Sequence, residues 1–101
     1  PVDTWHDRAV FHFLVDSADR DAYVLSASST IRPGGHLVIA TFAPDGPEQC
    51  STLPVQRHDA ASLSEAFGAG FELIDSFEAG HATPWGAVQR FTHAVFVRVP
   101  G

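Results

Sequence analysis

The sequence contains one cysteine, Cys50, and neither lysine nor methionine. A single cysteine excludes a disulfide within the chain and is typical of a reducing compartment, so we expect a cytoplasmic protein. No hydrophobic run approaches the ~18 residues of a membrane-spanning helix, and we therefore expect no membrane partner.

Positive charge is also scarce. Six arginines are scattered along the chain against twelve acidic residues, which gives a net charge of −6. Binding to a nucleic acid backbone needs clustered lysine and arginine, so we expect a small molecule or a protein as partner. The length of 101 residues predicts a single domain over 1–101, and 45% hydrophobic with 18% charged residues is typical of a globular protein.

The first half of the sequence predicts a strand, two helices and a second strand. The predicted elements are a strand end at 2–5 with Asp7 just beyond it, a short helix at 8–15, a helix from Asp16 or Ser17 to about Ile31, and a strand at 36–42. Pro33 disfavours helix in the residue before it, and Gly34 with Gly35 allows a sharp reversal. The continuous apolar run at 36–42 indicates a strand buried on both faces, as in a parallel sheet.

The second half predicts a long loop, a helix and two strands. The predicted elements are a loop at 43–58, a helix capped by Asp59 that ends at Phe67, strands at 71–77 and 88–99, and a connection at 78–87. Consecutive strands joined by about ten residues favour an antiparallel hairpin. The order predicts an α/β fold in which a parallel β-α unit is followed by a C-terminal antiparallel hairpin.

Several short motifs resemble the C-terminal half of a class I S-adenosylmethionine-dependent methyltransferase of a bacterial subgroup. They are WHDRAVFHFL at 5–14, RPGG at 32–35, TFA at 41–43, DGP at 45–47 and CS at 50–51, followed by His81, Thr83-Pro84, Gln89 and Phe91. The resemblance covers essentially the whole chain. It implies a partial Rossmann-like sheet whose final strand is inserted between two others.

The same resemblance implies transfer of a methyl group from S-adenosylmethionine to an acceptor. The glycine-rich turn that binds this cofactor belongs to an N-terminal half, which would precede Pro1. The nearest local match, Gly68-Ala69-Gly70, follows a helix and precedes a strand, so we interpret it as a helix stop. We therefore expect cofactor binding only when the N-terminal half is supplied, and an inactive isolated chain.

A second hypothesis belongs to a different functional class. The chain is then a non-catalytic module derived from such an enzyme. It would form a homo-oligomer or bind a protein partner through the exposed edge of its first strand. The same edge would pair with the missing half under the first hypothesis.

Candidate catalytic and cofactor-binding residues follow the first strand, because ligands of α/β sheets lie beyond the carboxyl ends of parallel strands. Asp7 and His12 are the candidate catalytic residues, and Trp5 with His6 the candidate cofactor-binding residues. Methyl transfer depends chiefly on alignment of donor and acceptor. Each has a structural alternative: Asp7 as a helix cap beside Arg8, and Trp5 and His12 as packing residues.

The candidate acceptor-binding residues lie in the long loop and in the final hairpin. They are Phe42, Asp45, Cys50, His81 and Thr83. Nothing in the sequence activates Cys50 as a nucleophile. We expect no metal, because the six-residue spacing of His6 and His12 does not place them on one helix face and the other histidines are dispersed.

Overall fold

The computed structural model describes residues 2–47, 49–50 and 53–99, with the backbone alone described at 49–50. Its strands and helices are β1 (Val2–Arg8), α1 (Ser17–Thr30), β2 (Ile31–Phe42), β3 (Gln49–Cys50), β4 (Leu53–Pro54), α2 (Ala60–Phe67), β5 (Phe71–Ala82) and β6 (Val88–Arg98).

Four of these strands form one sheet in the order β1-β2-β6-β5. β1 and β2 are parallel and joined through α1, whereas β6 is antiparallel to both of its neighbours. The last strand is therefore inserted between β2 and β5. The predicted α/β class, the parallel unit and the C-terminal hairpin are confirmed.

The predicted helix at 8–15 is wrong. β1 continues through Arg8, and only a 3-10 turn forms at Phe11–Phe13. The chain reverses at Ala9, which has a φ of +60°, and the Asp7 side chain accepts the backbone N–H groups that follow. These contacts bind the end of the strand to the turn and leave too few residues before α1 for a full helix.

The predicted second helix is confirmed as α1. Asp16 caps it, because its side chain accepts the N–H of Ala18. Ala27, near the end of the helix, and Ile31, the first residue of β2, are fully buried, and Tyr23 and Val24 pack against the same core.

The glycine pair lies within β2 rather than before it. The pairing of β1 with β2 advances from Val2–Ile31 to Thr4–His36, so residues 32–35 form a bulge. Gly34 has a φ of +83°, and a Cβ at Gly35 would lie 2.7 Å from the carbonyl oxygen of Asp3. Both positions therefore favour glycine. The positive φ of Gly34 agrees with the prediction, but the expected sharp reversal is wrong, because these residues form a bulge within a longer strand.

The predicted loop at 43–58 contains a small hairpin, in which β3 and β4 pair antiparallel. The loop is fixed at its far end because the N–H of His58 donates to the carbonyl oxygen of Phe42 and the N–H of Gln56 to that of His12. The segment after β2 is therefore tied back onto the carboxyl ends of β1 and β2.

α2 begins with a capping box. The Asp59 side chain accepts the N–H of Ser62, and the Ser62 hydroxyl accepts the N–H of Asp59. The helix ends at Gly68, with a φ of +71°, as the sequence predicted. Leu63 and Phe67, on the inner side of this helix, are buried.

β5 is longer than predicted, since it continues to Ala82 and leaves only residues 83–87 for the turn. The last rungs of the hairpin extend beyond β2. The pairing of β2 with β6 ends at Phe42–Phe91, whereas β5 and β6 continue through Ala82–Val88.

The two faces of the sheet differ in cover. Both helices pack on the face that carries Leu37, Ile39, Ala94 and Phe96. The other face, here called the open face, is covered by no helix of the described chain. There Val38 and Val95 are half-buried and Phe77 is 56% exposed. The prediction that β2 is buried on both faces is therefore confirmed at its carboxyl end but not at His36 and Val38.

The capping box gives a stability prediction. We expect Asp59→Ala to lower the free energy of unfolding by about 1 kcal/mol, because an N–H at the start of α2 loses its acceptor. Asp59→Asn should retain most of the stability, since asparagine caps about as well. Chemical denaturation of both variants measures the effect, and equal losses would contradict a capping role.

Candidate functional site

The carboxyl ends of the parallel strands β1 and β2 lie side by side, with Arg8 paired to Ala40. This is the edge where α/β sheets bind ligands. Two clefts flank β1 there. One is a groove on the open face, and the other lies against the outer side of the strand, on the side of α1.

The groove has a volume of about 320 Å³, at the lower end of the range for small-molecule sites. All four strands of the sheet contribute to it. Its polar lining comes from His6, Arg8, His81 and His93, and its apolar lining from Val38, Ile39, Ala40, Ala79, Gly80 and Phe91.

Arg8 occupies the polar part of this groove. Its guanidinium lies 5.7 Å from the centre of the Phe91 ring, and its Nη2 is 3.4 Å from Nδ1 of His81. His93 stacks on Phe77 at 4.6 Å between ring centres. Partial burial, and then the positive charge of Arg8, lower the pKa of His93. Arg8 is therefore the one arginine or lysine among the described residues that line the groove.

The outer cleft is lined by Trp5, Asp7, Val10 and Tyr23, together with His6 and Arg8. The Trp5 indole N–H donates to the Tyr23 hydroxyl at 2.8 Å, and the two rings meet edge to face. The Tyr23 hydroxyl in turn donates to Asp7 at 2.5 Å. α1 is thus joined to β1 by a chain of hydrogen bonds.

Asp7 is the end of that chain and is 5% exposed. Its two carboxylate oxygens accept the N–H groups of Val10 and Phe11 at 3.0 and 3.1 Å, in addition to the Tyr23 hydroxyl. These contacts match the capping alternative, although the cap serves a turn rather than a helix. The catalytic role of Asp7 stays a prediction, and the structure presents its carboxylate as an anchor of the local backbone.

His12 is fully buried beneath the end of β2. The N–H of Phe42 donates to its Nδ1 at 3.0 Å, so the ring hydrogen lies on Nε2. Burial lowers the pKa of His12, and the negative charge of Asp7 partly opposes this effect. The ring packs on Phe42 at 4.5 Å, which corresponds to the packing alternative; its catalytic role stays a prediction.

His58 is a second buried imidazole, and the sequence analysis did not identify it. Its Nδ1 lies 3.0 Å from the Ser62 hydroxyl. Burial, followed by the positive charge of Arg20, lowers the pKa of His58 to about 4. Within the described residues, Nε2 of His58 and Nε2 of His12 are buried without a hydrogen-bond partner. Burial therefore opposes conversion of either imidazole to its charged form.

The candidate acceptor-binding residues separate into distinct positions. His81 lines the groove, whereas Phe42 packs beneath Phe91 at 5.0 Å. Thr83 is buried and fixes the hairpin turn through paired hydrogen bonds with Ala87. Asp45 is exposed, and its carboxylate is 3.9 Å from Arg90. The side chain of Cys50 lies outside the described residues.

Sequence reasoning missed three contributors to this region: Arg8, Tyr23 and His93. His93 lies two positions from Phe91 in the predicted last strand, and Arg8 lies two positions from His6 at the first strand. Extending that strand by three residues would have placed His6 and Arg8 together on the open face. Tyr23 lies within the predicted second helix, but its partner Asp7 is sixteen positions away and has no local signal.

Comparison with solved structures identifies this architecture. A S-adenosylmethionine-dependent methyltransferase from Methanosarcina mazei superposes with a TM-score of 0.76 and 11% identity, over 98% of this chain and 60% of that protein. The N-methyltransferase NodS from Bradyrhizobium japonicum gives 0.70 and 14%, over 97% of this chain and 51% of NodS. The structure of NodS in complex with S-adenosylhomocysteine superposes with a TM-score of 0.64 and 13% identity, over 95% of this chain and 45% of NodS.

The chain shares its fold with part of these S-adenosylmethionine-dependent methyltransferases. It spans about half the length of the methyltransferases that it matches. No protein-family model matches the chain, and comparison with curated proteins finds no match.

No helix among the described residues is long and apolar enough to cross a membrane. Those residues also contain no group of three or more histidine, cysteine, aspartate or glutamate side chains placed to hold a metal ion.

The hydrogen bonds of Tyr23 give a prediction at alkaline pH. Tyr23 is the single tyrosine of the chain, and burial, with the hydrogen bond to Asp7, raises its pKa above the ordinary value of 10. The raised pKa stabilises the fold fully below pH 10, and this stability is lost as the pH rises above 10.

We therefore expect the ultraviolet absorbance of phenolate to appear only together with unfolding. In Tyr23→Phe, the loss of stability above pH 10 should be smaller than in the unchanged protein. A phenolate signal near pH 10 in protein that remains folded would contradict the buried hydrogen bond.

His58 gives a prediction at acidic pH. Its folded pKa of about 4 lies below the ordinary 6.5, so its contribution to stability is present above pH 6.5 and is lost as the pH falls toward 4. We expect a loss on the order of 3 kcal/mol over this interval. His58→Gln should flatten the profile of unfolding free energy against pH, whereas His36→Gln, at an exposed position, should not.

Proposed function

We propose that this chain is the C-terminal portion of a methyltransferase that transfers a methyl group from S-adenosylmethionine to an acceptor. The supporting observation is the sheet order β1-β2-β6-β5, with an antiparallel final strand inserted next to a parallel pair. The superposition with methyltransferases over nearly the whole chain supports the same assignment.

The uncovered surfaces of the sheet indicate what completes the protein. β1 has a single strand partner in the described chain, so its outer edge is available for pairing. The open face carries Val38, Val95 and the exposed ring of Phe77. We propose that an N-terminal portion of the fold pairs along β1 and covers the part of this face around Val95 and Phe77, which do not line the groove.

The residues at the end of β1 fit one wall of a cofactor site. Trp5 and His6 line the outer cleft. The next residue, Asp7, accepts hydrogen bonds from the Tyr23 hydroxyl and from the following backbone N–H groups, and these bonds fix the backbone up to Val10. S-adenosylmethionine supplies an activated methyl group when bound. In this proposal Asp7 is a positioning residue, Trp5 and His6 face the cofactor, and the open-face groove receives the acceptor.

A second candidate function is the non-catalytic module that self-associates. The observation that favours it is the combination of an available strand edge with apolar side chains on the open face. A second copy of the chain would pair at the same edge and bury the same side chains. The two candidates therefore compete for one surface and predict different ligands.

Titration of S-adenosylhomocysteine into the protein expressed from its complete natural reading frame distinguishes them. We expect saturable binding by calorimetry, with a Kd in the micromolar range. Trp5→Phe should weaken binding because the outer cleft loses part of its wall, whereas Trp85→Phe, whose side chain is 76% exposed on the hairpin turn, should not.

The contrary result is equally clear. A folded protein that does not bind S-adenosylhomocysteine, and that light scattering shows to be a dimer or larger, would reject the enzyme proposal and support the module.

A further inference from the structure

We infer that the open-face groove binds a small organic acid, with Arg8 holding its carboxylate and the apolar lining holding its hydrocarbon part. The identification of this acid as the methyl acceptor rests on the proposed function. The groove itself is described by contacts that do not depend on it.

The first argument is that Arg8 differs from the other arginines of the chain. The other five contact a carboxylate or a backbone carbonyl: Arg32 with Asp3, Arg90 with Asp45 and Glu78, and Arg20, Arg57 and Arg98 with the carbonyl oxygens of Leu14, Gly46 and Ile31. Among the described residues, Arg8 has no carboxylate within ion-pair distance. A guanidinium presents paired N–H donors that match a carboxylate.

The contacts of Arg8 hold the guanidinium in place but leave most of its N–H donors without an acceptor among the described residues. Phe91 contacts its face, and Nδ1 of His81 lies 3.4 Å from Nη2. An imidazole nitrogen that faces a guanidinium acts as an acceptor, which places the His81 hydrogen on Nε2 as a further donor. The remaining guanidinium donors are available to an anion.

The third argument is the placement of the apolar lining beside a single positive charge. One row across the sheet carries Arg8, Ala40, His93 and Phe77, contributed by four different strands. The apolar residues of the groove adjoin this row. A monoanion with a compact apolar body matches this lining better than a fully hydrated inorganic anion, which leaves the apolar surface without a partner.

Benzoate is a suitable probe, because benzamide has nearly the same shape without the charge. We expect benzoate to perturb the imidazole NMR signals of His6, His81 and His93 in a saturable way, with a Kd of about 1 mM or tighter. Bound benzoate should also raise the pKa of His93, because the anion offsets the charge of Arg8. Benzamide and inorganic phosphate should each bind at least about tenfold more weakly.

Variants locate the binding. Arg8→Gln should weaken benzoate binding about tenfold or more, and Arg8→Lys should give an intermediate affinity because the charge remains but the paired donors are lost. Arg32→Gln is the matched control: it removes the same charge from an arginine paired with Asp3 at the other end of β1. Circular dichroism checks that each variant is folded.

The inference would be overturned by the lack of a saturable shift with benzoate, by equal binding of benzoate and benzamide, or by equal weakening through Arg8→Gln and Arg32→Gln. Preferred binding of phosphate would also reject an organic acid. The outcome is separate from that of the proposed function. Binding of S-adenosylhomocysteine without benzoate would reject the acid alone, and benzoate binding without S-adenosylhomocysteine would reject the enzyme alone.

Discussion

The three hydrogen bonds accepted by Asp7 organise the functional end of this fold. Two of them come from the backbone of the following turn and one from Tyr23 of α1, so a single carboxylate joins a strand, a turn and a helix. The turn carries His12 beneath β2, where its Nδ1 accepts the N–H of Phe42. The position of the second parallel strand end therefore depends, through two side chains, on the first. Removing the carboxylate would leave buried donors without acceptors.

The polar residues of the site fall into two groups, which differ in whether their polar atoms are already engaged. Asp7, His12 and Thr83 have their polar atoms engaged by the backbone or buried, and they shape the site. His6 and Arg8 are exposed in the open-face groove and keep donors that no described residue uses. A site of this kind is suited to orienting reactants. The proposed methyl transfer would need such orientation, because alignment of donor and acceptor contributes more to that reaction than proton transfer.

The sequence predicted those parts of the structure that depend on local signals. Asp16 and Asp59 mark the starts of both helices, Gly68 ends α2, and the hairpin follows from two consecutive strands. The prediction of a short helix at 8–15 was wrong because the Asp7 side chain accepts N–H groups beyond Ala9 and caps a turn there. The site was predicted only in part for a related reason. The groove unites residues 8, 81 and 93, which strand register brings together, and register is not encoded by any one segment.

The β5–β6 hairpin extends beyond the last residue of β2, and its outermost rungs pair only with each other. The turn at its tip is closed by Thr83 and displays the exposed ring of Trp85. Lengthening or shortening this overhang would alter the two-stranded ribbon and the position of His81 in the groove, while the four-stranded sheet and its anchor at Asp7 stayed the same. The overhang is therefore a segment through which one wall of the groove can change while the rest of the sheet stays the same. The turn at the tip of the overhang can change in sequence while the four-stranded sheet stays the same.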